Sequence, residues 1–364
     1  MATTAFVSDY LQSRGWIMHP QSGQQRHQTH VIFGPVTDAA AAIRCDLDAV
    51  THARDRHVHT CGHAVNMAAV LTLASQLAVR QPDTINRTCL IFQPAEEGPG
   101  NKADGFTHPR GFGGGQYLRD LGIYSELPRL ISAHIDTSLP QDTVRITSGT
   151  ATAAAYRFSF DARGQPAHAA LPWQGTNPLD AITSFLVSCD ELNRRFADLA
   201  ATDPSEYGLV TVSQVNTAPC ELNSLAPVAY ARGISRVVGT KTLETFKSVL
   251  KRLGATWELE APPVINDSAL AELAATEARR AGYRVDSAAA RFRDETAWAG
   301  EFDLPWADPT NYPSGCPAIL HFFVPGGERC GLLHSEDFRS RTHPIHVMVE
   351  LIGGIVTRLT QAPS

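Results

Sequence analysis

The sequence lacks long apolar runs, basic clusters and an export signal. No stretch reaches the roughly 18 apolar residues that a membrane span requires. Its start, MATTAFVSDYLQSRGW, has no basic region followed by an apolar run. The formal net charge of -6 disfavours nucleic acid or an anionic membrane as a partner. The seven cysteines are scattered. We therefore expect a cytoplasmic protein with reduced thiols.

The length of the chain and the spacing of its apolar residues indicate its fold class. Its 364 residues, 43% of them hydrophobic, suffice for two domains. Apolar runs at Ala39–Cys45, Thr88–Gln93 and Leu130–His134 predict buried strands, and the pattern over Ala64–Val79 predicts a helix between the first two. Strands that alternate with helices indicate an α/β fold, with a mostly parallel sheet and helices on both faces.

The pattern changes near residue 150. Strands and helices then follow in the order β-α-β-β-α-β, which is typical of a ferredoxin-like domain. The pair Pro262-Pro263 marks the return to the first pattern. We therefore predict that a domain of residues 150–261 is inserted into a catalytic domain formed by residues 1–149 and 262–364.

Four groups of metal-binding residue types follow apolar runs. Cys61 and His63 flank a glycine before the predicted helix, and a thiolate and an imidazole so spaced can bind one metal or bridge two. Adjacent glutamates, Glu96 and Glu97, follow a strand, so that one can bind a metal while the other acts as general base. The ordinary alternatives are a loop with chance histidines and a solvated pair of glutamates.

Two separate histidines complete these groups. His134 ends a predicted strand, and His334 stands in a Leu-Leu-His-Ser-Glu segment. A lone histidine in such a place is more often structural, but together the four groups make a coherent two-metal ligand set.

A fifth feature is the segment Gly164–Ala170 in the inserted domain. It is either a surface turn or a segment whose His168 reaches an active site and polarises a carbonyl.

These groups, in this order, resemble the metal-dependent aminoacylase/carboxypeptidase family. The matching blocks cover most of the chain: Arg44–Ala49, His59–His63, Gln93–Gly98, Gly164–Ala170 and the late His334. The Cys-Gly-His block is similar to the amidohydrolase branch. Three further segments look like the sub-branch of aminobenzoyl-glutamate hydrolase and a β-alanyl dipeptidase: His168–Ala181, Asp308–Asn311 and Pro317–Ile319.

The resemblance implies an enzyme, a zinc-exopeptidase-like hydrolase of amide bonds in small N-acyl amino acids or unusual dipeptides. It implies two divalent ions, with zinc as the expected metal and manganese or nickel as alternatives. The implied ligands are Cys61, His63, Glu97, His134 and His334. Glu96 would be the general base, and Asp48 would orient a ligand.

In the inserted domain the resemblance implies three substrate contacts and a homodimer. His168 would contact the substrate carbonyl, in the family often across a dimer interface, and Asn223 would lie beside the substrate. Arg236 would clamp a substrate carboxylate.

Some features depart from the family or leave alternatives open. Ala64 replaces the acidic or amide residue that often follows Cys-Gly-His, which removes one hydrogen bond next to the ligands. Together with the short loop between Asp48 and His59 and the absence of the family's histidine- and proline-containing opening helix, this indicates a specialised substrate. The same activated water would also suit a deaminase that releases ammonia, and a non-catalytic metal-dependent binding protein is a second alternative. An aromatic or apolar acyl pocket could use Trp173, Trp298, Trp306 and Phe323, although aromatic residues more often pack in a core.

Overall fold

The computed structural model of the protein describes residues 2–23, 30–52, 56–96, 114–203, 205–289 and 317–361. The chain divides into two compact units. The first contains the described residues up to Ala151, those of Val264–Ala288 and those from residue 317 onward. The second contains Thr152–Pro263. Within these described ranges no helix is long and apolar enough to span a membrane.

The helices and strands are numbered in chain order. The first unit begins with α1 (Ala2–Gln12), β1 (Val31–Phe33), β2 (Ala41–Asp46), β3 (Val50–His52), β4 (Arg56–Val58), α2 (His63–Arg80), α3 (Pro82–Ile85), β5 (Thr88–Gln93), α4 (Gly114–Asp120), β6 (Arg129–Asp136), β7 (Thr143–Arg145) and β8 (Gly149–Thr150). The second unit contains β9 (Ala154–Arg163), α5 (Pro178–Thr202), β10 (Tyr207–Thr217), β11 (Val228–Val238), α6 (Thr240–Leu253) and β12 (Thr256–Ala261). The first unit resumes with β13 (Ile265–Asn266), α7 (Ser268–Arg280), β14 (Arg284–Asp286), β15 (Ala318–Pro325) and α8 (His343–Gln361).

The first unit is built on a seven-stranded sheet in the order β1-β5-β2-β6-β15-β7-β14. Strands β5, β2, β6 and β15 run parallel at its centre, and β1 pairs antiparallel at one edge. Successive side chains enter opposite apolar layers: Ile43 and Leu90 pack with α1, α2, α7 and α8, whereas Ala42 and Ile91 pack with α4. The predicted α/β fold, mostly parallel and with helices on both faces, is confirmed.

The second unit contains an antiparallel sheet in the order β10-β11-β9-β12. Its chain order is the β-α-β-β-α-β predicted for the inserted segment. Both helices pack on one face, where Phe160 stacks on Phe185 with ring centroids 4.5 Å apart and Tyr156 meets Phe246 at 5.2 Å. Polar residues of the alternate register, such as Arg157, are exposed on the other face.

Local sequence signals explain where these helices begin and end. Asn177 caps α5, since its side chain accepts a hydrogen bond from the Leu179 N–H at 3.2 Å, and Pro178 occupies the first helical position. Asp267 caps α7 by accepting from the Leu270 N–H at 2.8 Å. Helix α6 ends at Gly254, whose φ of 74° suits a residue without a side chain.

The shortest strands were not predicted. Strands β3 and β4 pair antiparallel in the segment before Cys61, for which no strand was predicted. Strands of two or three residues carry no measurable period, so pairing partners rather than composition define them. Strand β6 also continues to Asp136. His134 therefore lies two residues before the end of the strand, paired with Phe323 of β15, and not at its tip.

Candidate active site

Three parallel strands bring polar residues to one edge of the first unit's sheet. Asp48 follows β2 by two residues, Glu96 follows β5 by three, and His134 lies near the end of β6. The pairing of Asp46 with Gln93, continued by the Leu47 N–H donating to the Gln93 carbonyl at 2.8 Å, aligns the first two strand ends. Asp48 and Glu96 are both buried. Ligands typically bind at such carboxyl ends in α/β sheets.

His63 is the residue that connects these groups. It begins α2, and its Nδ1 lies 3.0 Å from the carbonyl oxygen and 3.3 Å from the carboxylate of Asp48. Its Nε2 lies 3.5 Å from the Glu96 carboxylate. Because Nδ1 donates to the Asp48 carbonyl in this arrangement, a neutral ring leaves the Nε2 lone pair directed toward Glu96.

The surroundings of His63 favour its charged form in the metal-free protein. Burial by itself would lower the pKa of this imidazole, but Cys61, then Asp46, and hydrogen bonds to Asp48 and Cys61 outweigh burial and raise the pKa well above its usual value. Negative groups therefore surround the ring, and such an environment also suits a bound cation.

Gly62 allows Cys61 and His63 to approach β6. Its φ of 93° belongs to the left-handed region, and a Cβ there would lie 2.8 Å from the Ile135 side chain and 3.4 Å from Cε1 of His134. Only glycine therefore fits between the helix start and the strand. Cys61 is buried, with its Sγ 4.0 Å from the Asp48 carbonyl oxygen.

The two other histidines are held by backbone contacts. The rings of His134 and His63 are perpendicular, with centroids 5.7 Å apart. Nδ1 of His134 lies 2.9 Å from the Ile135 carbonyl, so Nε2 is the nitrogen that could bind a metal. The His334 N–H donates to the Thr60 carbonyl at 2.8 Å, so its segment is tied to the residue before Cys61.

Backbone strain accompanies this site. Three non-glycine residues have positive φ within the described ranges: Ala95 at 50°, Arg329 at 54° and His334 at 61°. Ala95 directly precedes Glu96, and His334 is itself a predicted ligand. Strained backbone of this kind is retained where surrounding contacts enforce it, often at functional sites.

A buried polar layer below the site was missed by the sequence analysis. Arg44 Nη2 lies 2.7 Å from the Asp46 carboxylate, with both side chains about 1% exposed. Arg44 Nε donates to the Gln93 side-chain oxygen at 3.1 Å, and the Tyr124 hydroxyl donates to the same oxygen at 2.9 Å. Asp46 lies 4.0 Å from Nε2 of His63. The alternation Arg44-x-Asp46-x-Asp48, which places charges on one face of an apolar strand, was the available signal.

The residue types at this edge fit a divalent metal. Thiolate, imidazole and carboxylate are the donors that zinc prefers. His63 lies next to two of them, with its Nε2 3.5 Å from the Glu96 carboxylate and its ring centroid 5.7 Å from that of His134. Among the described residues no three His, Cys, Asp or Glu side chains form a complete metal cluster by themselves. Glu97, the predicted carboxylate ligand, lies outside the described residues, as do Asp308–Asn311, Trp298 and Trp306.

The second unit places His168 and Asn223 side by side. His168 forms a bridge with Ser224, and the Ala169 N–H donates to the Asn223 carbonyl at 2.7 Å. The Ala170 N–H donates to Nδ1 of His168 at 3.1 Å. In the neutral ring Nδ1 is therefore the acceptor and Nε2 carries the proton, ready to donate a hydrogen bond. Arg236 lies on β11, paired with Leu209 and Ala155.

Comparison with known proteins agrees with this architecture. N-acetyl-L-cysteine deacetylase of Bacillus subtilis (strain 168) is 26% identical over 308 residues, which are 78% of this chain and 68% of that protein. The structure of a dinuclear metal-binding peptidase of family M20 from Bacillus subtilis covers 100% of this chain and 93% of its own, with a TM-score of 0.67 and 17% identity.

A second solved structure is similar over almost the whole chain. An aminobenzoyl-glutamate utilization protein from Klebsiella pneumoniae is a structural neighbour, with a TM-score of 0.54 and 17% identity over 98% of this chain and 90% of its own. Likeness at that identity concerns the fold alone. The model of peptidase family M20/M25/M40 matches residues 42–339. The chain therefore belongs to peptidase family M20/M25/M40 and is a hydrolytic enzyme.

Proposed function

We propose that the protein is a two-metal amidohydrolase that cleaves the amide bond of a small N-acyl amino acid or unusual dipeptide. The observation that carries this proposal is the position of His63, which lies next to Glu96 and His134 at one sheet edge and follows Cys61 by two residues. The deacetylase relative acts on an N-acetyl amino acid, as its name states. Of the possible sub-branches we favour the aminobenzoyl-glutamate and β-alanyl-dipeptide hydrolases, on the basis of the segment His168–Ala181.

The ligands in this proposal are Cys61, His63, Glu97, His134 and His334. Zinc is the expected metal, since a thiolate and three imidazoles dominate the set, and manganese or nickel would also be accepted. When bound, the ions supply the Lewis acidity that makes a water acidic near neutral pH. Asp48 holds Nδ1 of His63, which keeps Nε2 as the ligating nitrogen.

Glu96 is the proposed general base. Its carboxylate is largely buried and faces the ligating side of His63, so it can accept the proton of the attacking water and then deliver it to the leaving amine. His168 is the proposed oxyanion donor, because the Ala170 N–H already occupies its Nδ1 and leaves Nε2–H for the carbonyl oxygen. Asn223, on the paired loop, would assist in holding that carbonyl.

The length of β11 supports a homodimer formed through the second unit. The loops of His168 and Asn223 leave the sheet at its Val228 end, where the Gly164 N–H donates to the Pro227 carbonyl at 2.8 Å. Arg236 lies eight residues further along, about 26 Å at roughly 3.3 Å per residue. A small substrate does not span that distance. A substrate carboxylate clamped by Arg236 of one copy would therefore meet His168 of a second copy.

A reducing compartment suits this site. Cys61 must remain a free thiol to bind metal, and the described cysteines are all free: Cys45, Cys61, Cys89, Cys189, Cys220 and Cys330. We therefore propose a cytoplasmic location, with a small molecule as the substrate and neither nucleic acid nor membrane as a partner.

The Glu96→Gln variant tests the proposal. Its metal content should match that of the wild type, while turnover of N-acyl amino acids should fall by about a hundredfold, the usual contribution of a general base. Glu272→Gln, at an exposed position on α7, is the matched control and should retain full activity. Undiminished turnover by Glu96→Gln would refute the assigned role.

Product analysis separates the competing reactions. Released amino acid without ammonia supports amide hydrolysis, whereas ammonia in equal amount to consumed substrate would establish deamination. Binding of N-acyl amino acids by the metal-loaded protein without any turnover would instead establish the non-catalytic alternative.

A further inference from the structure

Two loops at one end of the second unit's sheet share an unusual composition. We call residues 164–177 and 218–227 the apolar tip. Glu221 is the only Asp, Glu, Lys or Arg residue in it, although such residues make up 19% of the whole chain. Depletion of charge distinguishes surfaces that contact another molecule from surfaces that remain solvated.

Hydrogen bonds between backbone groups fix the shape of the apolar tip. Gln165 and Thr176 exchange two bonds of 3.0 Å each, which close the first loop. The Leu225 N–H donates to the Ala167 carbonyl at 2.9 Å, which joins the second loop to the first. The first loop is so tight at Gly175 that a Cβ there would lie 2.3 Å from the Gln165 carbonyl oxygen, and 3.3 Å from the Leu225 side chain of the second loop. The backbone of the apolar tip therefore has a defined shape.

Large apolar side chains project from this surface beside His168. Trp173 is 75% exposed, Leu222 is 100% exposed and Leu171 is 38% exposed. The Leu171 N–H donates to the His168 carbonyl at 2.8 Å, and the Gly175 N–H donates to the Pro172 carbonyl at 3.2 Å, so that Trp173 stands on a closed turn. Single exposed apolar residues are ordinary, but a cluster on an uncharged, rigid surface indicates a contact.

We propose that Trp173 and Leu222 determine specificity by contacting an apolar or aromatic acyl group of the substrate. This inference rests on the proposed function, in which His168 donates to the substrate carbonyl. The acyl substituent is bonded directly to that carbonyl, so it would lie near the surface that carries His168. Backbone hydrogen bonds join the His168 segment to Leu171, two residues before Trp173, and to Asn223, which follows Leu222. The substrate carboxylate is assigned to Arg236 of the other copy, a charged residue outside the apolar tip.

The physical basis is the desolvation of apolar surface that water now covers. A tryptophan ring offers a large, stiff contact area and loses little conformational freedom when an acyl chain or ring packs on it. An acetyl group is too small to gain much from this contact, whereas a benzoyl or octanoyl group gains from both residues. The enzyme should therefore prefer large apolar acyl groups on one amino acid.

The test compares kcat/KM for N-benzoyl and N-acetyl derivatives of the same amino acid, with metal-loaded protein. For Trp173→Ala we expect about a tenfold loss with the benzoyl substrate and less than about twofold with the acetyl substrate, which is the scale of losing one apolar contact. Leu222→Ala should shift the ratio in the same direction by a smaller factor. Trp173→Phe should restore most of the preference, since it keeps an aromatic face.

A matched control and a mass measurement make the outcomes distinct. Val79→Ala removes an 84% exposed apolar side chain from the first unit and should leave both substrates unaffected. An unchanged benzoyl-to-acetyl ratio in Trp173→Ala and Leu222→Ala overturns the inference. Equal losses of kcat/KM on both substrates, together with a lower molecular mass of the variant in solution, also overturn it. In that case the apolar tip would be a contact between two copies of the protein. A wild-type protein that hydrolyses neither of these substrates nor a β-alanyl dipeptide contradicts the proposed function itself.

Discussion

Buried carboxylates are used differently in the two units. In the first unit Asp46, Asp48 and Glu96 are buried around His63, and the distances to its two ring nitrogens range from 3.3 to 4.0 Å. In the second unit Glu206 is buried too, but it accepts from the backbone N–H groups of Lys241 and Thr242, at 3.2 and 2.8 Å, and so caps α6. Burial of charge therefore does not identify a site by itself. The difference lies in what the carboxylates contact: the imidazole of His63 in the first unit, and the backbone N–H groups at the start of a helix in the second.

The largest expected effect concerns the first unit. His63→Ala should lose bound metal, with an affinity reduced by at least about a hundredfold, because it removes a proposed ligand and the contact that Asp48 orients. Metal per folded protein after dialysis measures this. His59→Ala, at an exposed position two residues before Cys61, is the control and should keep its metal. Full metal content in His63→Ala would show that this edge of the sheet is not the metal site.

A backbone change in the first unit should have the next largest effect. Gly62→Ala should lower the free energy of unfolding by about 2 to 3 kcal/mol, since it combines a left-handed conformation with a clash against the buried Ile135. Urea denaturation measures the loss. Gly15→Ala separates the two causes, because Gly15 has a φ of 82° but nothing within 4 Å of a new Cβ. That control should lose only about 1 kcal/mol.

Loss of the buried carboxylate of the second unit should lower the stability of the protein and leave its activity unchanged. Glu206→Ala should lower the free energy of unfolding by about 2 kcal/mol, because it leaves the first N–H groups of α6 without their acceptor. Activity per folded molecule should stay at the wild-type level. Glu191→Ala, at an exposed position on α5, is the control for removing a carboxylate. A loss of activity in folded Glu206→Ala would contradict the contrast between the two units.

The smallest effect is expected at an exposed ion pair of the second unit. Arg194 and Asp190 form an i,i+4 pair on α5, with side chains 71% and 61% exposed. Arg194→Ala should change the free energy of unfolding by less than about 0.5 kcal/mol, because water and salt screen exposed pairs. Urea denaturation measures this change. A larger loss would indicate that the ion pair contributes more to stability than its exposure suggests.

Much of the fold could be predicted from local patterns. Strand β5 was predicted with the observed limits and α2 to within one residue at each end, because long apolar runs and helical spacing are properties of neighbouring residues. The two-residue strands β8 and β13 could not be predicted, because each exists only through its pairing with the other.

For the candidate site, the sequence by itself determined which residues could hold a metal and which could act as a base. It did so through residue chemistry and through the ends of apolar strands, which parallel pairing brings to one edge. Only the tertiary structure decided that Asp48 holds Nδ1 of His63, that Arg44 and Gln93 form a layer below the site, and that Trp173 is exposed while Phe323 is buried. Those facts depend on contacts between residues far apart in the chain, and a sequence pattern records only what neighbouring residues share.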